Sequence, residues 1–131
     1  TGGEAWGPQP LLSQVAAGHT WCDPSKTEGE GKLFADGAGG YLAYLLGDRL
    51  LIKQFQDQPA SAAAPEEAEI ELYVNPDHSY IEVENQGAYA SLEPGETVRW
   101  QVVWYARKLP PGVAPVAGNP DLVAFVAKTL E

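Results

Sequence analysis

The stretch YIEVENQGAYASLEPGETVRWQVVW, residues 80–104, decides the fold class. Its first part alternates, setting Ile81, Val83 and Asn85 against Tyr80, Glu82 and Glu84. That period of two marks a strand with one apolar and one polar face. Ala88 to Leu92 reads as a short edge strand. Glu93-Pro94-Gly95-Glu96 has Pro and Gly where a type II turn wants them. Thr97 to Arg107 (TVRWQVVWYAR) then reads as the longest strand. Val98, Trp100, Val102 and Trp104 fall on one face, and the two tryptophans are expected in the core.

The same periodicity extends upstream. AEIELYVN (68–75) sets Ile70, Leu72 and Val74 against Glu69, Glu71 and Tyr73, and Asn75-Pro76-Asp77 is a turn signal. GYLAYLLG and RLLIKQF, joined at Gly47-Asp48, predict a β-hairpin. Lys53 is unusual in so apolar a strand. Residues 56–67 (QDQPASAAAPEE) read as a surface loop. Residues 1–39 are expected to form an irregular arm and loop, with at most a strand or helical turn at 11–17. Residues 40–109 hold the main strands. Asn119 and Pro120 predict the start of a C-terminal helix with Leu122, Val123, Val126 and Leu130 as its apolar stripe. The expected architecture over 1–131 is a single all-β domain, an antiparallel β-sandwich with one short helix.

Composition narrows the function classes. The chain has 18 acidic and 8 basic residues, a net charge of −10. Nucleic acids and anionic membranes are bound through Lys/Arg clusters, so neither is an expected partner. One cysteine, Cys22, excludes an internal disulfide. A chain of 131 residues needs no staple, because it can bury roughly two-thirds of its unfolded surface. No apolar run reaches the ~20 residues of a membrane helix, and no signal peptide is evident. A soluble protein is therefore expected; its compartment is not specified. The chain contains no methionine, so residue 1 is expected to be a processed or engineered start, and a fragment of a longer protein is one reading.

The order of an ExE strand, a short strand, Leu92-Glu93-Pro94-Gly95-Glu96 and a long aromatic strand resembles the C-terminal part of a galactose-mutarotase-like β-sandwich. The chain is more similar still to the DUF4380 family within that group. That similarity reaches upstream through Leu72-Tyr73-Val74-Asn75 and the 40–55 hairpin to Gln14-Val15. The resemblance implies half or a reduced form of a supersandwich, since mutarotase-like domains are roughly twice this length. An exposed edge would then be covered by homodimerisation or by a missing N-terminal half.

The resemblance also assigns a role to Glu84. Aldose epimerases place their general base, a glutamate, on the strand before this turn, and Glu84 stands at the matching position. Such a carboxylate needs burial or a filled cleft to raise its pKa toward working pH. The ordinary account is a solvated strand-face glutamate. The histidine acid of epimerases has no clear counterpart: His78 follows a turn and His19 sits in a loop. For binding, Tyr73, Tyr80, Glu82 and Trp21 are the candidates, because sugars stack on aromatic rings while carboxylates take their hydroxyls. A carbohydrate ligand is thus the expected partner. No cofactor or metal is expected. His19, Cys22 and Asp23 give too few zinc ligands. Asp57, Glu66, Glu67 and Glu69 are of the type that holds calcium, but they lack an EF-hand-like spacing and read as a solvated acidic face. Three functions are carried forward: a carbohydrate-binding or accessory domain, an epimerase-like enzyme using Glu84, and an assembly domain pairing through exposed strands.

Overall fold

A computed structural model describes residues 4–6, 9–11 and 13–131, with side chains described for Leu11 and 13–131. Among the described residues ten strands precede one α-helix: β1 (Glu4–Trp6), β2 (Gln9–Pro10), β3 (Ser13–Ala16), β4 (His19–Cys22), β5 (Gly31–Ala35), β6 (Tyr41–Leu46), β7 (Arg49–Phe55), β8 (Ile70–Val74), β9 (Ile81–Asn85), β10 (Val102–Lys108) and α1 (Pro120–Leu130). They form three sheets, one in the order β1-β5-β8-β9 with β2 also on β5, one in the order β10-β7-β6, and the hairpin β3-β4. All pairings are antiparallel except β2 with β5. The fold is all-β and sandwich-like, as the alternation predicts.

The hairpin forms as expected. Leu46 pairs with Arg49 across a two-residue turn, and Gly47 supplies the positive φ of 58° that this connection requires. Leu50 and Ile52 are buried on one face of β7. Leu122 and Val126 of α1 cover that face together with Leu109, while Trp21, Tyr41 and Tyr105 pack at its margin. The Asn119 side chain caps the helix by accepting the Asp121 amide at 3.0 Å, and Pro120 occupies its first turn. A second cluster joins Leu11, Leu33 and Val74, with Leu72, Ile81 and Cys22 against it.

Four expectations are corrected. First, residues 1–39 are not an irregular arm, since their described part contains five short strands. These strands are held by pairing with β5 or by the β3-β4 hairpin, whose turn puts Ala17 at φ 51°. An alanine in that conformation gives no turn signal in sequence. Second, Ala88 to Leu92 forms no strand. Third, the long strand begins at Val102 rather than Thr97. The seven residues of β7 pair one for one with 102–108, ending at Phe55↔Val102, so 97–101 run past the end of their partner. Fourth, Trp104 is not core: it is 64% exposed. Trp100 is partly buried, with its ring 5.9 Å from Phe55 and against Gly87. The Pro94-Gly95 turn is present, with Gly95 at φ 93° and the Glu96 amide bonded to the Glu93 carbonyl at 3.0 Å.

Candidate functional site

Register builds one polar–aromatic face on the larger sheet. Lys32 lies opposite Tyr73, Phe34 opposite Glu71, Tyr73 opposite Glu82 and Glu71 opposite Glu84. Their side chains share a face because strand residues alternate. Directly opposed residues lie close enough for their side chains to interact.

Tyr80 enters this face from the β8–β9 turn, and Asn75 holds it there. Buried Asn75 donates to Asp77 and to Ser79 at 3.0 Å, while its Oδ1 accepts the Tyr80 amide at 3.1 Å. Asp77 in turn accepts the Ser79 amide at 3.0 Å. The Tyr73 and Tyr80 rings sit 6.1 Å apart at 46°, and Tyr80 is 51% exposed. The Tyr73 hydroxyl donates to Glu30 at 2.9 Å, and this bond pushes its pKa up to about 12.

Charge on the face is unequal. Lys32 pairs with Glu71 and lies 5.7 Å from the Tyr73 ring centroid. The bond to Glu71 holds the Lys32 ammonium above its ordinary pKa. Glu84 is pushed above the usual carboxylate range, first by burial and then by the charges of Glu71 and Glu82, with Lys32 opposing. Glu82 and Glu84 are both exposed at the residue level, so solvent screens this repulsion.

Lys53 connects this face to the three-stranded sheet. Its ammonium donates to the Val83 carbonyl of β9 and lies 4.9 Å from the Trp104 ring centroid. Burial lowers its pKa, and Glu84 opposes the shift. Among the described residues β9 has no strand beyond it, and Lys53 occupies part of that free edge. The lysine that stood out in the sequence is therefore a group that joins two sheets.

Over residues 14–107 the chain matches a family model described as a domain of unknown function, DUF4380. The chain belongs to the DUF4380 family. No curated protein and no solved structure matches it. The matched DUF4380 span runs from β3 into β10 and includes the whole face just described, whereas α1 lies outside it.

Tyr73, Tyr80, Glu82 and Glu84 thus come together in this DUF4380 domain. Trp21 does not join them: its indole N–H donates to the Ala16 carbonyl at 2.8 Å and its ring packs at the margin of the α1 core. His19 bonds Tyr41 and the Ala17 carbonyl, and His78 bonds the Gly29 carbonyl at 3.2 Å. Neither histidine is bonded to Glu84. Cys22 is half-buried and its thiol is pushed up to about 11 by burial and Asp23, which keeps it protonated. Sequence reasoning missed Lys32, Glu30 and Lys53 as members of the face. Only Lys53 carried a signal, as a charge interrupting an apolar strand.

Proposed function

We propose that this domain binds carbohydrate, as a binding or accessory module of mutarotase-like type, through Tyr73, Tyr80, Glu82 and Glu84. The observation that carries the reading is the Tyr73–Tyr80 pair, with its rings 6.1 Å apart beside carboxylates on one sheet face. Aromatic faces take the C–H surface of a sugar, and carboxylates flanked by a lysine accept its hydroxyls. Titration of the full chain with a panel of mono- and oligosaccharides, followed by calorimetry, tests it. Saturable binding weakened at least roughly tenfold by Tyr80→Ala is the expected result, the loss of about 1.4 kcal/mol or more. No binding across the panel, or binding unchanged by both Tyr80→Ala and Glu82→Gln, refutes it.

A second reading is an epimerase-like activity with Glu84 as general base. The upward-shifted Glu84 carboxyl favours it, because a base nearer neutral pH is more effective. Anomer interconversion abolished in Glu84→Gln would support that reading. The third, assembly through exposed strands, draws on the outer edge of β10, where Val103 and Trp104 are 41% and 64% exposed. A dimer that persists on dilution and dissociates in Trp104→Lys would favour it.

A further inference from the structure

Away from the tyrosine pair, three loops bring carboxylates together. Asp36 follows β5, Asp57 follows β7 and Glu69 precedes β8, and one oxygen from each lies within 4.8 Å of the others. Like charges converge here without compensation: among the described residues none of the three forms an ion pair. A second observation sets this group apart from a solvated acidic surface. Glu69 is only 7% exposed. Its Oε1 accepts the Gln58 amide at 2.8 Å, but Oε2 is buried with no well-formed hydrogen bond. Gly37 lies directly against Oε2, and any Cβ there would collide with it. Buried carboxylate oxygens are rarely left in that state, because the desolvation goes uncompensated. A cavity of about 90 Å³ adjoins, lined by Asp36 and Glu69 together with Gln58 and Gln86.

We propose that Asp36, Asp57 and Glu69 bind a divalent cation of the calcium class. All three ligands are hard oxygens, which excludes the N/S preference of zinc. Oxygens on one Ca²⁺ can lie up to roughly 5 Å apart, against about 4.2 Å on Mg²⁺. The cavity leaves space for waters or the amide oxygens of Gln58 and Gln86 to complete six to eight ligands. The ion would tie the end of β7 in one sheet to the ends of β5 and β8 in the other. It would also engage the buried Glu69 Oε2. This site stands independently of sugar binding.

The test uses the full chain after EDTA treatment and dialysis, titrated with CaCl₂ and then MgCl₂ by calorimetry and thermal denaturation. A one-site isotherm for Ca²⁺ is expected, with the midpoint raised by roughly 5–10 °C at a hundredfold excess over Kd. Glu69→Gln and Asp57→Asn should each weaken binding at least roughly tenfold. Asp57 is exposed, so its variant carries the test if the Glu69 variant fails to fold. Glu93→Gln, in an exposed turn outside the cluster, removes the same charge and should leave the isotherm unchanged. No saturable response to millimolar Ca²⁺, or equal weakening by Glu93→Gln, overturns the assignment.

Discussion

Replacing Lys53 with methionine isolates the ammonium that joins the two sheets. Methionine keeps most of the apolar stem and removes the charge, so the bond to the Val83 carbonyl and the contact with Trp104 are lost. A hydrogen bond from a charged donor contributes about 1.5–3 kcal/mol. A cation over an exposed tryptophan adds about 0.5–1 kcal/mol. Against these stand the burial that lowers the Lys53 pKa and the rotamer entropy of an ordered lysine, up to about 2 kcal/mol. The expected net loss for Lys53→Met is about 1–2 kcal/mol. For a domain of this size that is roughly 3–8 °C in melting temperature. Urea denaturation gives the free energy, and a cycle with Trp104→Ala should return a coupling of about 0.5–1 kcal/mol. Hydrogen exchange in β9 should accelerate while the α1 amides remain protected, because the lost bond lies at the β9 edge. A Lys53→Met protein within about 0.3 kcal/mol of the native one, with β9 exchange unaltered, would show that Lys53 does not join the sheets.

Two further outcomes follow from the shifted groups. Folding raises the Glu84 pKa, so the folded state favours its protonated form and ionised Glu84 costs stability at neutral pH. Glu84→Gln should therefore be more stable than the native protein at pH 7. Urea titrations should show that advantage shrinking as pH falls through the raised folded pKa toward the ordinary value of 4.5, where protonation already relieves the repulsion. A variant that is less stable at pH 7 contradicts the assignment. Folded Cys22, with its thiol near 11 rather than 9.0, should react with a disulfide reagent at pH 8 roughly a hundredfold more slowly than the urea-unfolded chain. Equal rates would show that Cys22 is not shielded.

Local chemistry made much of this fold legible. The period-two runs at 49–55, 70–74 and 81–85 are strands because each alternates between an inner and an outer face. Gly47 and the Asn119-Pro120 pair mark turn and helix start through φ preference and capping. The candidate face was partly legible too, since alternation alone aligns Glu82 with Glu84 and Glu71 with Tyr73. Their juxtaposition depends on the Tyr73↔Glu82 and Glu71↔Glu84 register of β8 and β9, which the short Asn75–Tyr80 connection sets. Lys32 and Glu30 were hidden because they lie in and just before a segment that reads as loop and becomes the strand β5 only through pairing with β1, β2 and β8.

The tryptophans mark the boundary between the two kinds of information. Alternation places Val102 and Trp104 on one strand face, and the sequence by itself determines that much. It does not determine whether that face is covered. β10 lies at the edge of a three-stranded sheet, where α1 packs on the opposite face and Lys53 reaches Trp104 from this one. Burial depends on what packs across a surface, a non-local property with no periodicity of its own. The same holds for Asp36, Asp57 and Glu69. In sequence Asp57 and Glu69 read as part of a solvated acidic face and Asp36 carries no signal; only the meeting of three loops makes the three a cluster.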